Sequence, residues 1–231
     1  MRFVLSLVAL SWLVAPAAAL AQSKAKPVRV AILYFDYDGK DEELGHLRKG
    51  LTSMLISDLS DVDGIQLVER TDLEKVIGEL KLQKQRFFDK KTTARIGKLL
   101  GAQVLVTGRY FEFRGKLLVN AKMVEVETGE VKGVRSARPT AEFIDLEQEL
   151  AGRLSEALKG RVGKRTPAKR TRRRKAKPPK RLPARTAARY GRALEAIDRG
   201  NKKKAKKILS KVVKERPDFA LAKRDLISLA R

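Results

Sequence analysis

The chain has 231 residues, no cysteine, one histidine and a formal net charge of +25. The absence of cysteine excludes a disulfide framework and a lipid-modified N-terminal cysteine. With a single histidine, the clustered imidazole and thiolate ligands of typical zinc sites are excluded as well. The length suits one domain of medium size with additional segments.

Residues 1–21 have the three parts of a secretory signal peptide. One basic residue, Arg2, precedes an apolar run, and small residues follow it. An A-x-A motif ends at Ala21, which predicts cleavage between Ala21 and Gln22. The apolar run is short for a membrane span, which favours a cleaved signal. The alternatives are an uncleaved anchor and a buried N-terminal helix. We expect export to the periplasm, with 22–27 as a short lead to the first domain.

Positive charge is concentrated in the C-terminal third of the chain. Residues 22–160 carry 24 basic and 22 acidic side chains, whereas residues 161–185 carry 13 basic and no acidic ones. Residues 186–231 carry 14 basic and 5 acidic side chains. The basic character therefore belongs to the segments that follow the first domain.

Residues 28–160 alternate between strand-like and helix-like patterns. The run at 28–35 is apolar and of strand length, and leucines spaced three or four residues apart between 44 and 59 predict a helix packed on a sheet. The later predicted elements are a strand at 65–69, helices at 71–80 and 92–101, an antiparallel three-stranded meander at 102–137 and a helix at 141–160. This order predicts an α/β domain: a mixed sheet with an antiparallel C-terminal meander and flanking helices.

Several single residues of this domain have a structural explanation. Thr71 and Glu74 have the spacing of a capping box at a helix start. Gly101 is placed to end a helix in the left-handed conformation. We expect Arg70 to hold a strand-to-helix junction through carboxylates or carbonyls, and His46 to lie at the surface or edge of a helix.

An acidic cluster follows the first predicted strand. Asp36, Asp38 and Asp41 could offer oxygen ligands to calcium, but their spacing is not that of an EF-hand loop. A solvated loop that caps the next helix is the favoured alternative. No glycine pattern that cradles phosphate is present, and no nucleophile, acid and base converge in the pattern. We therefore expect a protein that is not an enzyme and needs no cofactor.

Residues 161–185 read as a basic, proline-containing linker. Proline and unbroken like charge oppose collapse, so the segment is predicted to be disordered and extended. At about 3.1 Å per residue it could reach up to roughly 75 Å. The candidate anion-binding or partner-binding residues are Lys169, Arg170, Arg172, Arg173, Arg174, Lys175, Lys177, Lys180 and Arg181.

Three interpretations of such a linker are open, two with a ligand and one without. A nucleic acid would gain affinity through counterion release, but 161–185 has no aromatic residue for base stacking and no recognition motif. In an exported chain the polyanions are lipid head groups or an anionic envelope polymer. A plain spacer kept soluble by its charge is the third interpretation. If the N-terminus is not a signal, a nucleic-acid-binding protein acting through this segment becomes the alternative.

Residues 186–231 have the spacing of a tetratricopeptide helical hairpin. The residues that carry the pattern are Ala193, Gly200, Ala205, Leu209 and Pro217. An ordinary hairpin with the same spacing is the alternative. One repeat buries little surface, so we expect this small all-α tail to dock or to self-associate.

Four stretches within 28–135 carry a resemblance in series: "VAILYF", "LVERTDLEKVIGELKLQ", "TARIGKLLGAQVLVTGRY" and "AKMVEVETGEV". Their order and spacing resemble the envelope α/β family that includes the curli secretion component CsgG, the flagellar outer-membrane protein FlgO and the N-terminal domain of TolB. The resemblance implies a non-enzymatic envelope module that takes part in assembling or exporting surface structures.

Two departures refine this expectation. The curli channel is a lipoprotein, which this chain without cysteine cannot be, and it inserts long amphipathic hairpins. Here the hairpins are short and carry charges such as Lys122 and Glu125. The resemblance thus favours a periplasmic adaptor with envelope protein partners or self-association, and a curli-type outer-membrane secretion-channel subunit is the alternative.

Overall fold

The computed structural model describes residues 26–80, 90–162 and 179–230. The predicted signal peptide at 1–21, with its cleavage site at Ala21 and Gln22, lies outside the described residues. So do the candidate anion-binding residues from Lys169 to Lys177.

One mixed sheet forms the centre of the first domain. Its strands are β1 (Val28–Ile32), β2 (Asp36–Tyr37), β3 (Ile65–Leu67), β4 (Val104–Phe113), β5 (Lys116–Glu125) and β6 (Val131–Pro139). The spatial order is β3-β1-β4-β5-β6, with β2 paired to β4 beyond the end of β1. Strand β1 is parallel to β3 and β4, whereas β4, β5 and β6 form an antiparallel meander. The predicted α/β fold class is confirmed.

Helices flank the sheet and form the tail. The domain contains α1 (Glu42–Gly45), α2 (Leu47–Leu59), α3 (Arg70–Glu79), α4 (Lys90–Leu99) and α5 (Phe143–Val162), and the tail contains α6 (Ala184–Asp198), α7 (Lys202–Glu215) and α8 (Ala220–Ser228). Gly101 follows α4 with a φ of +59°, as its position in the sequence predicted. Among the described residues, no helix has the length and apolar character needed to cross a membrane.

The sheet has a separate apolar cluster on each face. Side chains of a strand alternate between faces, so Val30 and Ile32 join the cluster that contains α2 and α5. Ala31 and Leu33 join the second cluster, which contains residues of α3 and α4. The continuous apolar run of β1 is explained by this burial on both faces.

The tail is packed on the α2 side of the domain. Ala187, Ala188 and Tyr190 of α6 are buried in the same cluster as Leu51 and Leu55 of α2. Helix α2 therefore lies between the sheet and α6, and the domain and the tail share one hydrophobic core. The tail docks, which is one of the two outcomes expected from its small size.

Within the tail, α6 and α7 form a helical hairpin. Ala193, Ala205 and Leu209 are fully buried, as expected for positions where two helices approach. Gly200 makes the turn with a φ of +73°, and Pro217 follows the end of α7. The hairpin is thus observed, and its identification as a tetratricopeptide unit stays a prediction.

The segment without described structure is shorter than the predicted linker, 161–185. Helix α5 continues through Val162, and the chain is packed again from Pro179. Leu182 is fully buried, and the backbone N–H of Lys180 donates to Asp218 at 2.9 Å. The prediction of disorder is wrong for 179–185, because one leucine and one carboxylate fix this stretch to the tail.

The predicted capping box is also wrong. Helix α3 begins at Arg70, so Thr71 lies inside the helix; the N-cap is Glu69, whose side chain makes no capping hydrogen bond. Glu74 instead accepts a hydrogen bond from the Tyr34 hydroxyl and lies 2.5 Å from the Lys49 ammonium. The partners of Glu74 are therefore a cation of α2 and a phenol of the segment between β1 and β2, and not the local amide that the spacing suggested.

Candidate functional site in the groove between the domain and the tail

Helices α2 and α6 cross with their backbones almost in contact. A Cβ atom on Gly191 would lie 2.0 Å from the carbonyl oxygen of His46, and one on Gly50 would lie 2.6 Å from that of Ala187. Both distances are shorter than a carbon and an oxygen can approach without displacement. Glycine at both positions is what allows α6 to settle on α2 in this orientation.

A compact ionic cluster joins the end of α6 to the domain. One guanidinium nitrogen of Arg70 lies 2.9 Å and 2.8 Å from the two carboxylate oxygens of Asp198, and the Lys49 ammonium lies 2.6 Å from one of them. The side chains of Arg70 and Asp198 are each only 13% exposed. Arg70 therefore holds a junction through a carboxylate, as expected, but that carboxylate comes from the tail.

Burial and the neighbouring groups together set the charge states within this cluster. Burial alone would lower the pKa of Arg70, but Tyr34 and Asp198 outweigh it, and the pKa is raised. Burial raises the pKa of the Tyr34 phenol, and the Glu74 carboxylate raises it further, against the opposing effect of Arg70. The phenol remains protonated and donates to Glu74, so every charge in the cluster has an opposite partner.

Two further links connect α6 to the segment before α2. The Nδ1 atom of His46 lies 3.1 Å from Glu195, and a guanidinium nitrogen of Arg185 lies 2.7 Å from Asp41. Burial by itself would raise the pKa of Glu195, but His46 and nearby cations lower it below its ordinary value. His46 does lie at a helix edge, where it is a contact between the domain and the tail.

The three aspartates considered for calcium do not share a site. Asp36 is buried in β2, and Asp38 lies 3.5 Å from Arg109. Asp41 accepts from two backbone amides at the start of α1, at 2.9 Å and 3.2 Å, so the helix-capping alternative describes it. Among the described residues, no group of three or more histidine, cysteine or acidic side chains is arranged to hold a metal.

A groove of about 550 Å³ opens between the domain and the tail. Its walls come from α2, the β3–α3 junction, α6 and α8. Half-buried apolar side chains line it, namely Ile56, Leu67, Ile197, Leu221 and Leu229. Acidic side chains also line it, namely Asp58, Asp61, Glu69 and Asp225, and its two cations, Arg70 and Arg224, pair with Asp198 and Asp225.

Tyr190 fixes the wall that α8 provides. Its hydroxyl donates to Asp225 at 2.7 Å and lies 3.2 Å from the hydroxyl of Ser53 on α2. Its ring meets Phe219 edge to face, with centroids 5.0 Å apart. Burial raises the pKa of this phenol, and the Asp225 carboxylate raises it further, so Tyr190 stays a donor. The groove is therefore formed without any ligand.

Sequence reasoning missed this groove. Of the residues singled out from the sequence, only Arg70 and Thr71 line it. The candidate residues Lys180 and Arg181 are exposed and do not line it. The available signal was Tyr190, an aromatic residue in a helix otherwise rich in alanine and arginine, but its partners lie far away in the chain. A lining that combines apolar and acidic side chains can bind an amphipathic segment that carries positive charge.

One protein family matches the chain. Its description is "Curli production assembly/transport component CsgG", and the match covers residues 21–116. It includes the parallel part of the sheet and ends at the start of β5, so β6, α5 and the tail lie outside it. The resemblance of the first domain to CsgG-like proteins is confirmed.

Solved structures with a similar fold have low identity to the chain. The LpoB C-terminal domain from Salmonella enterica is 15% identical, with 52% of this chain and 87% of that chain covered and a TM-score of 0.40. The lipoprotein GNA1162 from Neisseria meningitidis is 10% identical, with 49% and 81% covered and a TM-score of 0.43. TolB from Acinetobacter baumannii is 14% identical, with 61% and 30% covered and a TM-score of 0.41. Likenesses this weak carry no conclusion about function.

No curated protein matches the chain significantly.

Proposed function

We propose that this chain, which carries a CsgG-like α/β domain, is a non-enzymatic adaptor in the assembly or export of cell-envelope structures. Its groove between the domain and the tail would hold a segment of an envelope protein partner. The observation that carries the proposal is the preformed groove itself, whose lining combines apolar side chains such as Leu221 with acidic side chains such as Asp61.

The charge and size of the groove suggest the chemistry of the partner. A volume of about 550 Å³ accommodates a few side chains and not a whole protein surface. Apolar side chains of the partner would contact Ile56 and Leu221, while lysine or arginine would face Asp58, Asp61 and Glu69. The proposed ligand is therefore a short amphipathic segment with basic residues.

The envelope setting is supported from two sides. The matching family is described as a curli production assembly and transport component, which suggests a role related to envelope assembly. Residues 1–21 have the pattern of a secretory signal, which favours the periplasm. The absence of a recognisable reaction pattern in the sequence favours an adaptor over an enzyme.

Site-specific photo-crosslinking tests the proposal in cells. A photoreactive amino acid is placed at Ser57, which lines the groove, and at Lys132, which is exposed on β6. We expect an ultraviolet-dependent adduct with one envelope protein from position 57 and none from position 132. An adduct of twice the chain's own mass would identify a second copy as the occupant and would overturn an envelope partner.

A matched pair of variants shows whether the adduct depends on the groove. Leu221→Glu places a negative charge in the lining of the groove, whereas Ile227→Glu places the same charge on an exposed position of the same helix. The adduct at position 57 should disappear in the first variant and persist in the second. Circular dichroism should show that both variants are folded. Equal adduct yield in both would contradict the proposal.

A further inference from the structure

Helix α7 presents a surface of lysine side chains. We call Lys203, Lys206, Lys207, Lys211 and Lys214 the lysine face, and all five are exposed. At about 100° per residue they fall within an arc of about 140°. The buried residues Ala205, Leu209 and Val212 lie on the opposite side of the helix. Because the opposite side of α7 packs against the rest of the tail, the lysine face is directed to the solvent.

These lysines differ from the arginines of the neighbouring helix. Arg185, Arg189 and Arg192 of α6 each have an acidic partner within 4.0 Å. Within the part of the chain that the structure describes, none of the five lysines forms an ion pair. Like charges this close repel one another, so an external anion would stabilise the arrangement.

The shape and composition of the face indicate which anion it suits. Helix α7 is about 21 Å long at about 1.5 Å per residue, so the charges are held in a rigid band along one side of the helix. The face lacks an aromatic residue on which a base could stack, and Ser210 is its one uncharged polar side chain. It also lacks an exposed apolar side chain that could enter a bilayer. A planar array of phosphates at a membrane surface matches these properties better than a groove of a nucleic acid.

We infer that the lysine face of α7 is an electrostatic docking surface for the head groups of an anionic phospholipid membrane. Each lysine near such a surface contributes about 1 kcal/mol, or about a fivefold gain in affinity, without entering the hydrocarbon. The contact is reversible and weakens with salt. The envelope setting rests on the proposed function, but the surface lies on α7, which contributes no residue to the groove.

Vesicle flotation with the purified full chain tests the inference. The probes are vesicles of phosphatidylethanolamine with phosphatidylglycerol, and neutral vesicles of phosphatidylcholine. We expect binding to the anionic vesicles only, with loss at high salt. A triple variant, with Lys203→Gln, Lys207→Gln and Lys214→Gln, should bind roughly 100-fold more weakly, since each lost lysine lowers the affinity about fivefold.

Two comparison variants separate the lysine face from net charge and from the basic linker. Lys98→Gln, Lys116→Gln, Lys132→Gln removes the same charge from exposed positions of the domain and should retain most of the binding. The linker variant carries Arg172→Gln, Arg173→Gln and Arg174→Gln. Adding the three α7 substitutions to this background should still weaken vesicle binding strongly. An equal loss from the domain variant, or no loss from the α7 variant in either background, would overturn the inference.

Duplex DNA is the competing ligand. The proposed ligand would be a nucleic acid and not a membrane if the chain did not bind anionic vesicles but bound DNA through the same three lysines. The vesicle assay contains no partner protein, so its failure leaves the groove proposal intact. Loss of the groove adduct likewise leaves the vesicle result unaffected.

Discussion

Gly50 and Gly191 face each other where α2 crosses α6, and the amide nitrogen of Gly50 would lie 3.0 Å from a Cβ placed on Gly191. This contact brings the backbones of the domain and the tail together without an intervening side chain. It also brings the end of α6, with Asp198, to Lys49 and Arg70. The position of the groove and its α8 wall follows from this crossing.

Gly191→Ala should destabilise the protein by about 2 kcal/mol or more. Its methyl group would meet the His46 carbonyl at 2.0 Å, and the resulting strain exceeds the gain of about 1 kcal/mol in helix propensity. The free energy of unfolding in urea measures the change. Gly152→Ala in α5 is the control, because nothing lies within 4 Å of its added Cβ, and it should be neutral or slightly stabilising. Equal stability of the two variants would contradict a close crossing.

The Arg70–Asp198 pair should show strong coupling in a double-mutant cycle. Both side chains are mostly buried, so removing either leaves charges at the junction poorly compensated. We expect a coupling energy of about 1–3 kcal/mol between Arg70→Ala and Asp198→Ala. The exposed pair Lys75–Asp72, at 3.1 Å, is the control and should couple by less than about 0.5 kcal/mol. A coupling at Arg70 as small as this control would mean that the tail is not held by the pair.

Tyr190→Phe should loosen α8 while the ring packing against Phe219 is retained. The variant removes the hydroxyl that donates to Asp225 and contacts Ser53, so a partly buried carboxylate loses one partner. We expect a loss of about 1–3 kcal/mol in unfolding free energy. Amide hydrogen exchange should become faster in α8 and remain unchanged in α5. Unchanged exchange in α8 would show that the hydroxyl does not fix this wall of the groove.

The elements that the sequence predicted correctly depend on local chemistry. The apolar run of β1 and the leucine spacing of α2 indicate burial directly, and Gly101 has the positive φ expected after a helix end. The meander was predictable because its turns and alternation lie within a short stretch of chain. The buried positions of the α6–α7 hairpin were predictable for the same reason.

The site was not predictable because it depends on contacts between distant segments. Nothing local distinguishes Gly50 and Gly191, which are helical glycines, from Gly152, which touches nothing. The spacing of Glu74 from Thr71 indicates a local cap, but the actual neighbours of Glu74, Lys49 and Tyr34, are distant in the sequence. The run of basic residues without an acidic one continues to Arg185 and predicts a linker up to that point, but Leu182 is buried by the folded tail.

The contact between His46 and Glu195 should make stability depend on pH in the acidic range. The folded-state pKa of Glu195 lies below its ordinary value of 4.5, since burial, which raises it, is outweighed by the hydrogen bond to His46 and by the charges of His46, Lys49 and Arg199. The unfolded chain therefore binds the proton more readily between the two pKa values. This part of the stability is present above about pH 4.5 and is lost as the pH falls through the folded-state pKa.

Unfolding free energies measured between about pH 3 and pH 6 check the sign of this effect. Glu195→Gln should lower the unfolding free energy near pH 6. It should also reduce the decline of the unfolding free energy with falling pH, because the variant has no carboxylate to protonate at this position. Glu156→Gln, at an exposed position of α5, should leave the decline as it is in the unmodified protein. A residual slope is expected in both variants, since the Lys180 amide and Arg216 outweigh burial and hold the pKa of Asp218 below its ordinary value. An unchanged slope in Glu195→Gln would show that this carboxylate gains nothing from the contact with His46.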